Sequence, residues 1–268
     1  MTSNRRINYL HVLNKKIEGL LSSPRAAAWS CITAIATFLT MLTIGYFVAQ
    51  GDPAGPSSDA AGFNIFDNRI SDLGAARFTP NVIFLDYGAM ITPVLFIPTI
   101  YYLERKFAPI PRNINEYQGT SRWRFRLTTF GSFFMMLGLI GLFGIGLFSI
   151  DRNEWLMTEY SMPVSLHDIF AGCALGGLGI AGVILGFFIT FYRNKFIHLA
   201  VRIPLGIWMM VVPLACGINL ISYLPPLGMD HVEPSAPYWE WMMLFAILAW
   251  LVPLSILVIV EAIRDSRK

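Results

Sequence analysis

The feature that most constrains this chain is a series of six long apolar segments separated by polar connections. Each holds about 20–25 residues, and an α-helix that rises about 1.5 Å per residue needs about 20 to cross the hydrocarbon core of a bilayer. The segments do not alternate apolar and polar residues, as the strands of a membrane barrel would. Helices satisfy every backbone N–H and C=O group in lipid. We therefore predict an all-α polytopic membrane protein with six transmembrane helices, at Ala26–Gln50, Asn81–Leu103, Leu127–Ile150, Asp168–Tyr192, Ile203–Leu224 and Trp239–Val260.

The composition of the chain supports this class of protein. Apolar residues make up 55% of the sequence and charged residues 14%, against about 25% charged residues in soluble domains. This excludes a disordered chain, a fibrous protein and a free soluble enzyme, and we expect no nucleic-acid partner. The cysteines Cys31, Cys173 and Cys216 lie in separate apolar segments, so they predict neither a disulfide framework nor a cysteine metal site.

Lysine and arginine are distributed unevenly between the two sides of the predicted membrane. The two termini, the loop 104–126 and the short loop after Tyr192 carry 17 of the 20 Lys and Arg residues, which leaves Arg69, Arg77 and Arg152 for the other side. Because short loops rich in Lys and Arg stay in the cytoplasm, both termini should be cytoplasmic, and this requires an even number of spans. We expect the chain in the cell (cytoplasmic) membrane, with most of its acidic residues on the extracytoplasmic side.

Three regions follow from this pattern. Residues 1–25 place apolar side chains three or four positions apart, with basic residues available for lipid phosphates, which predicts an amphipathic helix on the inner leaflet. The alternative for this region is a partly ordered basic tail. Residues 26–261 form the transmembrane bundle, and residues 262–268 form a basic cytoplasmic tail.

Glycine is concentrated in spans three and four, with four-residue spacing at Gly172–Gly176 and Gly182–Gly186. Small residues on one face let helix backbones approach closely, so we interpret these spans as an internal antiparallel pair. Alternatively, the glycine faces bind a second copy of the chain or a membrane-protein partner. Prolines interrupt spans two, five and six and permit kinks, which either open a cavity for a ligand or lipid tail or serve packing alone. These prolines are Pro93, Pro98, Pro213 and Pro253.

The polar residues on the extracytoplasmic side are concentrated in the first outer loop and at the outer ends of spans two and four. The segment Phe63–Gly74 mixes apolar and polar residues, so we expect it to fold back onto the mouth of the bundle. Asp86 should face the bundle interior or water, because an ionised carboxylate in lipid is disfavoured by up to about 2.5–3.5 kcal/mol. The predicted outer polar cluster comprises Asn68, Arg69, Ser71, Asp72, Asp86, His167 and Asp168.

Several roles are open for these residues. Arg69, Arg77 and Arg152 would form ion pairs that seal the outer mouth, while Ser71-Asp72 and Asp168 would stabilise helix starts. A serine hydrolase using Ser71, His167 and a carboxylate would lack nucleophile-elbow spacing. An ion-coupled transporter is disfavoured, because spans one, three, five and six hold no ionisable residue near their centres.

A metal site is a further alternative, since zinc hydrolases use three protein ligands and a water molecule. The sequence has no HExxH spacing, and no other cofactor is evident. The candidate ligands for a divalent metal such as zinc are His167, His231, Asp72, Asp86 and Glu233.

The stretch Asn68-x-x-Ser71-Asp72-Leu73-Gly74 resembles the hallmark of an uncharacterised membrane family, domain of unknown function 998 (DUF998). The resemblance continues at Phe84–Gly88, at Gly146–Ser149 and at His167, although Asp86 and Ser149 replace the more usual asparagine and proline. It implies a six-span bundle with an outer polar cluster around Ser71, Asp72 and His167, and it implies no established reaction. A looser similarity to six-span proteins of the damage-regulated autophagy modulator type suggests lipid handling by analogy.

The sequence thus predicts an integral membrane protein with an extracytoplasmic polar pocket, which binds or organises lipid or a membrane partner without catalysis. One alternative is a metal-assisted membrane hydrolase acting on a lipid or small substrate. Another is an accessory subunit of a larger membrane protein complex.

Overall fold

The computed structural model describes residues 23–51, 63–107, 122–192, 199–222 and 236–267, with the single positions 19, 21 and 197. Within these residues the chain is helical and has no strand. A 3₁₀ helix at Ile70–Gly74, called the loop helix below, follows the first α-helix. The described ranges hold seven α-helices, which are α1 Pro24–Gln50, α2 Ile83–Phe107, α3 Arg122–Leu147, α4 Ile150–Tyr160, α5 Leu166–Phe191, α6 Leu199–Ser222 and α7 Ala236–Ser266.

Six of these helices, all except α4, are long and apolar enough to cross a membrane. This confirms the six predicted spans and the all-α class, and the protein is an integral membrane protein. At the ends that carry basic residues, all the spanning helices except α5 extend beyond the predicted bounds, so that Arg105 and Lys106 belong to α2. Helix α7 continues through Ser266, into the segment 262–268 that the sequence predicts as a basic cytoplasmic tail. The predicted amphipathic helix falls almost entirely on residues 1–18, outside the described residues.

Polar contacts between the last turns of α2 and α7 explain why these two helices are longer than predicted. Lys106 forms ion pairs with Asp265 and with Glu261, the latter at 3.6 Å. The hydroxyl of Tyr102 donates a hydrogen bond of 2.8 Å to Asp265. These contacts hold the last turns of both helices together beyond the apolar segments.

Consecutive spanning helices run in opposite directions, while α5 and α7, which also contact each other, run parallel. The described helix ends therefore gather at two ends of the bundle. One end, called the acidic end, holds the loop helix, α4 and the start of α7. The other, called the basic end, holds the start of α3 and the end of α7. Helices α1, α2, α3, α5 and α7 pack in sequence into a closed ring, and α6 packs outside it against α5 and α7.

Glycines allow the backbones of α3 and α5 to touch. A Cβ added to Gly138 would lie 2.7 Å from the backbone nitrogen of Leu178, and one added to Gly177 would lie 2.6 Å from that of Gly138. Both distances are too short for any residue with a side chain at these positions. The predicted internal antiparallel pair is therefore confirmed. Gly172 and Gly176 differ, because a Cβ on either would meet no atom within 4 Å.

Candidate functional site

The segment before α2 folds back onto the acidic end, as predicted. Phe63 and Leu73 are buried in a cluster with Trp241 of α7. The indole Nε1 of Trp241 donates a hydrogen bond of 2.9 Å to the backbone carbonyl of Asn68. The backbone N–H of Asn64 donates to the Oδ1 of Asn68 at 3.0 Å. Asn68 thus fixes the start of the loop helix over the mouth of the bundle.

Glu240 of α7 helps to hold the loop helix in place. Its carboxyl group accepts hydrogen bonds from the backbone N–H groups of Ile70 and Ser71. Glu240 was not among the residues of the predicted polar cluster. The available signal was a carboxyl at the very start of the sixth apolar segment, where exposure to lipid is disfavoured.

Asp86 lies beneath the other end of the loop helix and faces the bundle interior, as predicted, with 4% of its surface exposed. Its carboxyl group forms an ion pair of 3.5 Å with Arg152 of α4. The side chain of Ser149 forms a hydrogen bond with the same carboxyl. A Cβ on Gly74 would lie 3.0 Å from the Oδ1 of Asp86, so glycine lets the loop helix approach this carboxyl closely.

Two of the three predicted arginine ion pairs are present at the acidic end. Arg152 pairs with Asp86, and Arg77 pairs with Glu154 of α4 at 3.1 Å. The third, Arg69, is exposed and lies close enough to Asp72 and Glu240 to interact electrostatically with both. Helix α4, which was predicted as a loop, supplies Arg152 and Glu154. Its ion pairs connect α4 to Asp86 of α2 and to Arg77.

Asp72 is buried within the loop helix and accepts the backbone N–H of Arg69 at 2.7 Å. Burial raises the pKa of its carboxyl above the ordinary value, while the Arg69 N–H and the charges of Arg69 and Arg77 act in the opposite direction. The sequence placed Asp72 in a cap before Leu73, whereas the loop helix begins at Ile70. Asp72 is its third residue and accepts the N–H of Arg69, the residue that precedes the helix.

His167 lies in the first turn of α5 and is 5% exposed. Its Nδ1 lies 2.8 Å from the backbone carbonyl oxygen of Phe148, and its backbone N–H donates to the Oδ1 of Asn153 at 3.3 Å. The Nε2 atom is buried and has no hydrogen-bond partner among the described residues. The next residue, Asp168, is exposed, so adjacent positions of α5 face different surroundings.

A cavity runs from this polar region into the middle of the bundle. Its volume is about 100 Å³, and its walls come from the loop helix and from the five helices of the closed ring. Ser71, His167 and Glu240 line its acidic end, and the rest of the lining is apolar except for Thr92. The hydroxyl of Thr92 is also buried without a partner among the described residues.

The structure thus brings most of the predicted cluster together at one end of the bundle. Ser71 and His167 line the cavity, and Asp72 lies near His167. Asn68 holds the start of the loop helix, and Asp86 lies beside Gly74 at its other end. Asp168 stays outside this arrangement. Two metal-ligand candidates, His231 and Glu233, lie outside the described residues. Among the described residues, no group of three His, Cys, Asp or Glu side chains is placed to hold a metal ion.

The arrangement at the acidic end is that of an apolar cavity closed by a few oriented polar groups. Such a site holds an apolar ligand body and recognises a polar group at one end of it. Comparison of the chain with protein-family models, with curated proteins and with solved structures gives no match.

Proposed function

We propose that this protein binds one membrane lipid without catalysing a reaction. An acyl chain of the lipid occupies the cavity and the head group lies at the acidic end. With the orientation predicted from the Lys and Arg distribution, that end faces the extracytoplasmic side of the cell membrane. The residues that carry the resemblance to DUF998, Ser71 and His167 among them, lie at this end.

The shape of the cavity is the observation that carries the proposal. Its lining extends from Leu85 to Phe96 on α2, from His167 to Leu178 on α5 and from Glu240 to Leu251 on α7. Eleven residues of helix rise about 16 Å, which is roughly half of the 30 Å hydrocarbon core. A volume of about 100 Å³ spread over that length is a narrow channel. An unbranched chain has a smaller cross-section than a ring system, so it needs the smaller displacement of the lining side chains to enter this channel.

The chemistry of the lining agrees with this shape. Apolar side chains from five helices surround the channel, so an acyl chain loses no hydrophobic stabilisation when it leaves the bilayer. The polar atoms are confined to the acidic end and to Thr92. No contact among the described residues favours the metal-assisted hydrolase or the complex subunit over lipid binding.

Photolabelling tests the proposal. A fatty-acyl probe with a photoreactive group near the chain terminus should label the protein in nanodiscs, and the labelled peptides should include cavity-lining positions of α2, α5 or α7. Ala171 lines the cavity, so Ala171→Phe places a large side chain inside it. We expect this variant to reduce the labelling by about tenfold.

Ala215→Phe is the matched control, because Ala215 is exposed on α6 and does not line the cavity. It should label as the wild type does. Equal labelling of both variants, or labelled peptides confined to the outward faces of the helices, would contradict lipid binding in the cavity.

A further inference from the structure

We infer that the polar end of the cavity selects a neutral amphiphile whose head group donates a hydrogen bond, such as a long-chain alcohol or a monoacylglycerol, with Nε2 of His167 as the acceptor. The inference rests on the proposed lipid binding and adds the head-group class to it.

The hydrogen bond of the imidazole fixes which nitrogen carries the proton. The carbonyl oxygen of Phe148, 2.8 Å from Nδ1 of His167, can only accept, so Nδ1 must carry a hydrogen. In the neutral imidazole, Nε2 then presents a lone pair and is an acceptor. Because Nε2 is buried without a partner among the described residues and His167 lines the cavity, a ligand hydroxyl placed there would satisfy it.

The position of the imidazole is held by contacts from α4. Asn153 accepts the backbone N–H of His167 and donates through its Nδ2 to Ser165 at 3.1 Å. The hydroxyl oxygen of Ser165 in turn accepts the backbone N–H of Asp168 at 3.1 Å. Phe148, whose carbonyl receives Nδ1, stacks on Phe170 with ring centroids 5.4 Å apart. The acceptor is therefore pre-oriented, which favours binding of a donor.

The charges around this end disfavour an anionic head group. Among the described residues that line the cavity, none is Lys or Arg, and one, Glu240, is acidic. Asp72 lies close enough to interact electrostatically with both His167 and Glu240. A carboxylate or phosphate head group would meet these carboxyls in a poorly hydrated space. Arg69 neighbours both carboxyls but is exposed and is not among the described lining residues. A neutral hydroxyl avoids that repulsion and still donates.

Competition in nanodiscs tests the inference with three compounds that share one chain. Tetradecanol can donate a hydrogen bond, methyl tetradecyl ether cannot, and tetradecanoate is an anion. In the wild type, we expect tetradecanol to displace the photoreactive alkyl probe at about one tenth of the concentration that the ether needs, as one hydrogen bond to a buried acceptor implies. Tetradecanoate should be the weakest competitor.

Two variants distinguish the imidazole from other polar groups. His167→Asn retains a donor near the position of Nδ1 and removes the Nε2 acceptor, so alcohol and ether should compete within about twofold of each other. Thr92→Val removes the hydroxyl of Thr92, the other unpartnered polar group of the described lining, with little change in side-chain volume. Thr92 lies about 9 Å deeper than Asp86 along α2, so this variant should keep the tenfold preference. The ratio of alcohol to ether within each protein, compared between proteins, cancels their different partition into lipid.

The result that overturns the inference is equal competition by alcohol and ether in the wild type, or stronger competition by tetradecanoate. Loss of the preference in Thr92→Val with retention in His167→Asn overturns it as well. If none of the three compounds displaces the probe, chain binding itself fails and the head-group inference fails with it. When each concentration is corrected for the measured partition of the compound into the nanodisc lipid, the wild-type comparison needs no variant. A poorly folded His167→Asn then leaves the test intact.

Discussion

Asp72 is a carboxyl group that the fold buries, with 8% of its surface exposed. Burial raises its pKa above the ordinary 3.8, so the folded chain holds this proton more tightly than the unfolded chain does. The resulting stabilisation is present at pH values below 3.8 and is lost as the pH rises through the raised pKa. Asp72→Asn keeps an oxygen that can accept the N–H of Arg69 but does not ionise. We expect it to raise Tm at neutral pH, with the gain shrinking to zero toward about pH 4.

Thermal unfolding in detergent between about pH 4 and pH 8 measures this difference. Asp67→Asn makes the same chemical change on an exposed side chain of the same segment, so it should leave Tm within about one degree of the wild type throughout, as surface substitutions usually do. A Tm for Asp72→Asn that lies below that of the wild type at neutral pH would show that the ionised carboxyl stabilises the fold.

The polar contacts at the acidic end show what single-residue reasoning can and cannot reach. The burial of Asp86 and its position facing the bundle follow from the energy of a carboxylate in lipid, and so do ion pairs with the few arginines on that side. The pairing of Glu240 with the backbone of Ile70 and Ser71 does not follow, because nearly 170 residues separate the partners and nothing local to either one selects the other. Hydrogen bonds to backbone carbonyls are still harder to predict from sequence. Any residue at position 148 would present the carbonyl that His167 contacts, so the identity of Phe148 gives no signal.

The contact between α3 and α5 is the element-scale feature with the sharpest consequence. A Cβ on Gly141 would clash with the backbone of Ala174 and lie 2.7 Å from the carbonyl oxygen of Phe170. Gly141→Ala must therefore push two helix backbones apart, and we expect it to destabilise the protein by about 1–3 kcal/mol. Gly172→Ala adds the same methyl group where no atom lies within 4 Å. It should be neutral, or stabilising by up to about 1 kcal/mol through helix propensity.

Reversible unfolding in mixed micelles, or Tm where unfolding is irreversible, compares the two variants directly. Equal stability of both would mean that α3 and α5 are not packed backbone to backbone. A loss of stability confined to Gly172→Ala would instead place the close contact at the face of α5 that carries Gly172. That result would favour the alternative in which the glycines bind a second copy of the chain.

The six spans were predictable at the element scale because length and hydropathy alone decide whether a helix can cross a bilayer. The loop helix and α4 were not. The loop helix is five residues long and depends on Asn68, Asp72 and Glu240 for its hydrogen bonds. Helix α4 carries charged residues along most of its length, so no hydropathy pattern marks it. Both elements depend on tertiary contacts that a local pattern does not contain.

At the scale of the whole molecule, polar networks at both ends hold the bundle together around the cavity. The acidic end is closed by the loop helix, α4 and the start of α7, and the basic end by Lys106, Tyr102 and the last turns of α7. The proposed lipid enters at only one of these ends, so the direction in which the bundle crosses the membrane decides which leaflet supplies it.

The distribution of basic residues predicts that direction and permits a test on the intact protein. In a background without Cys31, Cys173 and Cys216, single cysteines at Glu159 of α4 and at Trp123 of α3 report on opposite ends, since both positions are exposed. With the termini in the cytoplasm, a membrane-impermeant maleimide added to intact cells should label Glu159→Cys fully and Trp123→Cys only after the membrane is permeabilised. The reverse pattern would place the acidic end in the cytoplasm, and the cavity would then draw its lipid from the inner leaflet.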